Sequence, residues 1–424
     1  MADLLIDNVC LPDGAMGQVL IQDGRIAAVG PGLSVPAGVP RLDGHGWDAL
    51  PGCIDMHVHF RTPGGEHKET LLTGAAAAVK GGTTTCGDMP NTTPRTTTMA
   101  ALEQKIALAE GAACDLFFNF GAEPDNLEQV RAAARHPRVK ALKIYMGPST
   151  GQGGLAPEAV RKQFRLAAEL DLPIMVHAED IAMIDAAAAH HPHDARHHTD
   201  LRPPAAEVEA VRQALALAAE YPVRLCISHT TNAGVIRLAE DSGVRERIFI
   251  EVAPHHLVLS TEDIDPPQDN RFRVNPPIRD AAMREALWAE LNGGIDGLGS
   301  DHAPHTLAEK HAPYDDAPSG IPGVEYMLPL AYHWYRDGVI SRERLIALSA
   351  GRAAAFFGLN KGALTPGRDG DVVLVDPVAT WHIGQGDDVV ASKCGWTPYE
   401  GRAMRGRPMV TIVGGRLVYQ HPHA

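Results

Sequence analysis

The chain has 424 residues, of which 45% are hydrophobic and 21% charged, a balance typical of a globular protein with a large core. Its formal net charge of −14, with no concentrated basic stretch, argues against nucleic acid as a partner. No apolar run approaches membrane-spanning length, and the stretch beginning Met1-Ala2 lacks the features of a signal peptide. Six scattered cysteines, none in a Cys-x-x-Cys pair, predict free thiols and a cytoplasmic protein.

Both ends of the chain have a sequence pattern typical of short β-strands. Residues 3–49 contain short apolar runs separated by turns such as Asp23-Gly24. Residues 362–424 show the same pattern, with Gly414-Gly415 near the end. Neither end is large enough for a robust core, and edge strands need covering. We therefore expect residues 1–49 and 362–424 to form one small discontinuous β-sandwich domain. Two separate additions to the central domain are the alternative.

Short apolar runs alternate with helical patterns across residues 50–361. Such runs are typical of parallel strands that are buried on both faces. Eight strand–helix alternations predict an α/β fold, a (β/α)₈ TIM barrel that forms the catalytic domain. A doubly wound open sheet is the alternative, but its Gly-rich phosphate turn is not found. The predicted strands are Leu50–Met56, Thr83–Met89, Leu116–Gly121, Val139–Met146, Pro173–Ala178, Arg224–His229, Ile248–Ala253 and Gly297–Asp301, and helices are predicted at Glu69–Lys80, Met99–Ala109, Pro157–Leu170, Ala205–Glu220 and Ala281–Leu291.

Polar side chains mark the ends of several predicted strands, where the functional groups of a barrel cluster. His57 and His59 are two apart on an extended segment, so both imidazoles can reach one metal ion. His177, His229 and Asp301 end the fifth, sixth and eighth strands. Each alone has an ordinary structural explanation, but together they predict a metal site suited to Zn²⁺, with Mn²⁺, Co²⁺ or Fe²⁺ as alternatives. Five further histidines are interpreted as a solvated loop: His190, His191, His193, His197 and His198.

Lys143 is a charged residue in the otherwise apolar fourth strand, within Ala141–Met146. Burial of its ammonium group would carry a large desolvation penalty, so this lysine is expected to be neutral or modified. Near two metal ions, the neutral amine could take up CO₂ and become an anionic carbamate that bridges both. A side chain that reaches outward past the helices is the alternative.

Two segments carry a specific family resemblance. Asp55-Met56-His57-Val58-His59-Phe60-Arg61-Thr62-Pro63 resembles the first signature of dihydroorotases, members of the amidohydrolase superfamily, and Gly299–His305 with Lys310 resembles the second. Met89–Thr92 and Val274–Ile278 are similar to further family segments. The resemblance covers nearly the whole chain. It implies the reversible cyclisation of N-carbamoyl-L-aspartate to (S)-dihydroorotate in pyrimidine biosynthesis.

The resemblance also implies the roles of the strand-end residues. His57, His59 and Asp301 would hold one Zn²⁺, and His177 and His229 the second. Carboxylated Lys143 and a hydroxide would bridge the two ions, and Asp301 would be the catalytic proton carrier. Some relatives use an aspartate from the loop after the fourth strand in place of the lysine. In this chain Gly147–Gly151 contains no acid, which favours Lys143.

The second carboxylate of the implied substrate needs a cationic partner. Arg61 shares a face with His57 and His59, and its planar fork suits a carboxylate, although a surface ion pair is the alternative. The resemblance adds five further substrate-binding candidates, each of which could also be an ordinary turn or loop residue: Asn91, Asn275, His305, Ser319 and Gly320.

Two other functions stay open. Allantoinases, hydantoinases and dihydropyrimidinases would share the metal site but need different substrate contacts. A catalytically inactive relative that serves as a scaffold is the third alternative, although such proteins usually lose metal ligands. A small molecule is the expected partner, with no nucleic acid and no membrane. Homo-oligomerisation and association with another pyrimidine-pathway enzyme are left open.

Overall fold

The structure, a computed structural model, describes residues 3–149 and 153–424. Met1, Ala2, Thr150 and Gly151, which entered the predictions above, lie outside the described residues. Among the helices that the structure describes, none has both the length and the apolar character needed to cross a membrane. All six cysteines are free, as the sequence predicts.

The first five strands belong to a sheet that both ends of the chain build. β1 and β2 pair antiparallel, as do β2 and β3, whereas β4 and β5 run parallel to β1. Leu5, Ile6 and Val9 are buried, so this sheet has an apolar core of its own. The strands are β1 Leu4–Cys10, β2 Met16–Gln22, β3 Arg25–Gly30, β4 Arg41–Asp43 and β5 Asp48–Pro51.

The next eight strands form a parallel barrel in chain order, each paired with the one that follows. The last strand approaches the first through a bridge between Val58 and His302, where the His59 N–H donates to the His302 carbonyl at 2.7 Å. The predicted (β/α)₈ barrel is confirmed. Its strands are β6 Cys53–Val58, β7 Thr83–Asp88, β8 Asp115–Gly121, β9 Val139–Tyr145, β10 Ile174–His177, β11 Leu225–Ile227, β12 Ile248–Val252 and β13 Gly297–Leu298.

The C-terminal strands complete the first sheet beside β5. The strand order is β16-β15-β14-β5-β1-β2-β3, with β4 on the side of β1. The sheet of both termini is therefore present as expected, whereas the division of the chain at positions 49/50 and 361/362 stays a prediction. The strands are β14 Val372–His382, β15 Ala403–Val413 and β16 Arg416–Gln420.

The predicted strand Leu50–Met56 divides at Gly52, which is a correction to the sequence interpretation. The residues before the glycine pair with β14, and those after it pair with β7. A Cβ atom at position 52 would lie 2.2 Å from Thr84 Oγ1, so only glycine lets the chain pass from one sheet to the other here.

The predicted strands that end at His229 and Asp301 are also too long. β11 and β13 end before these residues, whose φ angles of 38° and 45° are left-handed and incompatible with an extended strand. Both side chains still lie at the C-terminal mouth of the barrel. The unusual backbone turns them inward at the point where the strand ends.

Helices follow the barrel strands and cover their outer faces. The five predicted helices are found within two residues of their expected ends. α1 begins at Leu71 because the Thr70 hydroxyl accepts from the Thr73 N–H, and α4 and α7 begin with proline. The helices are α1 Leu71–Lys80, α2 Met99–Leu108, α3 Leu127–Ala133, α4 Pro157–Glu169, α5 Ile181–Ala188, α6 His198–Leu201, α7 Pro204–Glu220, α8 Ala233–Asp241, α9 Pro254–Val258, α10 Ala281–Ala289, α11 Leu307–Lys310, α12 Met327–Arg336, α13 Arg342–Ile346 and α14 Arg352–Phe357.

Lys361 joins the barrel to the sheet of the termini. Its ammonium group lies 2.6 Å from Asp115 Oδ2 at the start of β8 and 2.5 Å from Asp371 Oδ2 just before β14. Lys361 and Asp371 are buried. The removal of one partner from such a pair leaves an uncompensated buried charge.

We therefore expect Lys361→Met to lower the free energy of unfolding by about 3 kcal/mol. Denaturant titration of the variant and the wild type measures this difference. Lys162→Met, at an exposed position on α4, is the matched control and should stay within about 0.5 kcal/mol of the wild type. Equal stability of the two variants would show that the Lys361 contacts do not stabilise the protein.

Candidate metal centre and active site

The structure brings His57, His59 and Asp301 together at the mouth of the barrel. Their ligand atoms lie within 4.8 Å of one another, and all three residues are buried. One oxygen, Asp301 Oδ1, lies 3.4 Å from His57 Nε2 and 3.1 Å from His59 Nε2. Two imidazole nitrogens and a carboxylate oxygen that converge in this way fit a divalent metal ion.

His177 and His229 form a second pair beside the first group. His177 Nδ1 and His229 Nε2 face each other at 3.0 Å, and the His229 ring lies 5.3 Å from the His57 ring, centroid to centroid. Burial lowers the pKa of both imidazoles, and the positive charges of neighbouring groups lower that of His229 further. Neutral imidazole is the form that binds metal, so this pair fits a second ion.

Outer contacts fix the orientation of three of these rings. His57 Nδ1 is bonded to Glu251 Oε1 at 2.8 Å, and His59 Nδ1 to Asn91 Oδ1 at 2.6 Å. His177 Nε2 lies 2.9 Å from Glu179 Oε2, within ion-pair range although not aligned as a hydrogen bond. Oxygen partners of this kind set the tautomer and direct the other ring nitrogen at the metal.

The sequence interpretation missed the two glutamates. Glu179 is buried and paired with Arg202, and Glu251 lies inside the buried strand β12. A signal was available for both. A carboxylate within a buried strand, or two residues after a candidate ligand, needs a cationic or metal-linked partner.

Lys143 points into the cleft and not outward past the helices. Its side chain is completely buried, and its Nζ donates to Ser228 Oγ at 3.2 Å. Burial lowers its pKa, although the carboxylates of Glu251 and Asp301 act in the opposite direction. Burial therefore shifts the amine toward its neutral, nucleophilic form.

Asp301 is ionised in spite of its burial. Burial raises the pKa of its carboxyl group, but the neighbouring imidazoles, first His57 and then His59, hold that pKa well below its usual range. A charged carboxylate at this position can accept a proton from a group in the cleft.

Arg61 supplies the cation of the cleft, as the sequence predicts. Its Nε donates to the Pro304 carbonyl at 3.1 Å, and its Nη2 lies 2.9 Å from His305 Nε2. Burial lowers the pKa of the guanidinium to about 10, which leaves it charged at neutral pH. Lys68, a residue missed in the sequence, lies 3.0 Å from His305 Nδ1 on the far side of the ring.

Asn275, Ser319 and Gly320 also line the cleft. Asn275 Oδ1 accepts from His198 Nε2 at 2.7 Å, so His198 is buried, in contrast to the solvated loop expected for it. Gly320 has a φ of +147°, and a Cβ there would lie 2.4 Å from the Ala303 carbonyl. Only glycine fits that position.

Lys310 holds this wall of the cleft in place. Its buried ammonium group donates to the carbonyls of Arg273 at 3.0 Å, Pro318 at 2.8 Å and Gly320 at 3.0 Å. Three carbonyl acceptors use all three of its N–H groups. The segment that contains Ser319 and Gly320 is therefore tied to the one that contains Asn275.

All but one of the predicted site residues line a single cleft of about 350 Å³; His305 lies directly behind it against Arg61. The histidine–aspartate group lines this cleft together with Arg61 and Asn91, and Asn91 contacts His59 directly. Residues that the sequence interpretation did not include among the candidates also line it: Tyr145, Ser149, Val274 and Ala303.

Residues 49–418 match the model of the family described as the amidohydrolase family. The chain belongs to that family. A protein named dihydroorotase from Halobacterium salinarum is 39% identical over 420 residues, which cover 98% of this chain and 96% of the relative. One of the same name from Methanosarcina acetivorans is 35% identical over 401 residues, covering 91% of this chain and 84% of the relative.

The L-hydantoinase (dihydropyrimidinase) from Arthrobacter aurescens has a similar solved structure. It matches this amidohydrolase with a TM-score of 0.91 and 28% identity, over 99% of this chain and 96% of the other. The amidohydrolase family is metal-dependent, and the His57, His59 and Asp301 group is capable of holding a metal ion. The chain is a hydrolase of the cyclic-amide type.

Glu251→Gln tests the outer contact to His57. The amide keeps the shape of the side chain but loses the charge that polarises the ring, so the metal dissociation constant of this amidohydrolase should rise about tenfold. Competition with a chromophoric chelator measures it. Glu325→Gln is the control, because Glu325 is equally buried but pairs with Lys80 and does not line the cleft. Unchanged affinity in Glu251→Gln would contradict the role of this contact.

Proposed function

We propose that the chain is a dihydroorotase, which reversibly cyclises N-carbamoyl-L-aspartate to (S)-dihydroorotate and water in pyrimidine biosynthesis. The observation that carries the proposal is a single cleft that is lined both by a metal-capable group and by the buried cation Arg61. (S)-Dihydroorotate has a ring amide, which reacts, and a carboxylate, which does not, so it could use both the metal-capable group and Arg61. The dihydroorotase-named relatives support this choice, and the free cysteines support a cytoplasmic location.

The residues present fit two Zn²⁺ ions. His57, His59 and Asp301 would hold one of them. His177, His229 and the carbamate of Lys143 would hold the other, with the carbamate shared between both. When bound, the metal ions supply a water that is nucleophilic at neutral pH and polarise the carbonyl that it attacks.

Asp301 moves the proton in this proposal. As an ionised carboxylate, it accepts the proton of the attacking water and delivers it to the ring nitrogen when the amide bond breaks. In the direction of cyclisation, the same carboxylate takes the proton from the ureido nitrogen as that nitrogen closes onto the carboxyl carbon. It passes this proton to the carboxyl oxygen whose C–O bond breaks, and that oxygen, which takes its other proton from solvent, leaves as water. His57 and His59 keep the carboxylate ionised between turnovers.

Arg61 and Asn91 bind the substrate carboxylate that does not react, and His305 supports Arg61 from behind the cleft. A charged guanidinium that is desolvated in a cleft is stabilised most strongly by an anionic partner. Asn275 and the backbone of Ser319 and Gly320 face the ring amide. These contacts orient the reacting carbonyl toward Asp301 without a change in the position of the barrel strands.

The hydantoinase-type alternative rests on the similar structure from Arthrobacter aurescens. Hydantoin, dihydrouracil and allantoin carry no carboxylate, so they would leave the buried charge of Arg61 without an anionic partner. A buried charge without a partner is strongly unfavourable. This difference favours the acidic ring.

Steady-state turnover of five compounds tests the proposal: dihydroorotate, N-carbamoyl-L-aspartate, allantoin, hydantoin and dihydrouracil. With Zn²⁺ supplied, kcat/KM should be highest for the first two. Faster turnover of allantoin or of dihydrouracil would overturn the proposal. A purified protein that binds no divalent metal and stays inactive with added Zn²⁺ would instead support the scaffold alternative.

Lys143→Ala tests the carbamate. The variant should lose activity to below about one hundredth of the wild-type kcat, because the anionic ligand shared by both ions is gone. A short carboxylic acid in excess should restore part of it by occupying the space of the carbamate. Lys140→Ala, on the same strand but outside the cleft, is the control and should keep its activity. Full activity in Lys143→Ala would remove the carbamate from the mechanism.

A further inference from the structure

Tyr145 is a residue of the cleft to which the proposed mechanism gives no task. It is the last residue of β9, two positions after Lys143, so both side chains point to the same face of the strand and into the barrel mouth. The residue is only 3% exposed. Its hydroxyl is buried and makes no hydrogen bond to any described residue.

An unsatisfied buried hydroxyl is unfavourable by about 1–3 kcal/mol in a folded protein. Such groups concentrate where a ligand completes the hydrogen bond. Tyr145 lines the same cleft as Arg61, Asn91 and Asp301, so a substrate bound there lies beside it.

The surroundings of the ring fix its position in the cleft. The ring centroid lies 6.0 Å from that of His177, and Lys143 Nζ lies 5.4 Å from it. Burial raises the pKa of the phenol, Asp301 raises it further, and Arg61 acts in the opposite direction. A phenolic hydroxyl can donate a hydrogen bond to an acceptor in the cleft.

Arg61 alone does not satisfy a carboxylate in this cleft. A carboxylate has two oxygens that accept several hydrogen bonds. The Arg61 Nε already donates to the Pro304 carbonyl. The guanidinium therefore cannot bind the two oxygens of a carboxylate through Nε and the neighbouring Nη together. A carboxylate bound by Arg61 and Asn91 can accept a further hydrogen bond, and the hydroxyl of Tyr145, which lines the same cleft, has no other partner among the described residues.

We propose that the Tyr145 hydroxyl donates a hydrogen bond to the non-reacting carboxylate of the substrate, together with Arg61, and thereby contributes to the preference for an acidic ring. The inference rests on the proposed function. It makes Tyr145 a substrate-binding residue contributed by the same strand as the bridging Lys143.

Tyr145→Phe removes only the hydroxyl and tests the proposal. The loss of a hydrogen bond to a charged group should raise the KM for dihydroorotate about ten- to a hundredfold, while kcat changes less than about threefold. Metal content, measured by elemental analysis, should equal that of the wild type. Because the hydroxyl has no partner among residues 3–149 and 153–424, the variant should also be at least as stable to denaturant.

Tyr399→Phe is the matched control. Tyr399 is fully buried and its hydroxyl has no hydrogen-bond partner in the described part of the chain, but it does not line the cleft. Its removal should leave KM and kcat unchanged, which separates a contact with substrate from the general effect of deleting a buried hydroxyl.

Three results would overturn the inference. The first is a KM for dihydroorotate in Tyr145→Phe within twofold of the wild type. The second is a loss confined to kcat, which would assign the hydroxyl to the reacting amide instead of the carboxylate. The third is a wild-type protein that does not turn over dihydroorotate at all. That last result would overturn the proposed function itself and, with it, this inference, whereas the first two leave the function standing.

Discussion

The contact of one buried carboxylate with two imidazoles is the interaction on which the rest of the site depends. Asp301 lies within 3.4 Å of both His57 and His59, and these neighbours keep it ionised in a cleft from which most water is excluded. The same place closes the barrel, because the His59 backbone N–H donates to the carbonyl of His302. The contact that joins the last strand of the barrel to the first therefore lies directly beside the site.

The cleft combines charges of both signs. Asp301 and the imidazoles line it together with Arg61, and Lys68 contacts His305 next to Arg61. Burial lowers the pKa of the guanidinium of Arg61 and of the amine of Lys143, but with opposite consequences. The guanidinium remains charged at neutral pH, whereas the lysine amine is shifted toward its neutral form, which is suited to carbamate formation.

Much of the fold and of the candidate site could be predicted from the sequence. The spacing of the apolar runs indicates the strands and helices, and the polar residues at the ends of these runs indicate the site. The barrel and the residues at its mouth follow from that pattern. The pattern failed where a local property was decided by distant packing. Gly52 divides a continuous apolar run between two sheets because Thr84 lies against it, and His198 is buried because Asn275 binds its ring.

By itself, the sequence predicted the fold class, the candidate metal ligands and the cation Arg61 beside them, because residue type and spacing along a strand fix which faces and ends they occupy. Only the tertiary structure decided which groups lie behind the ligands and which remain unsatisfied. Glu251 contacts His57 across 194 positions of the chain, and the Tyr145 hydroxyl is without a partner among the described residues because of how the strands around it pack. Such contacts join residues that are distant in sequence, so no periodicity in the chain records them.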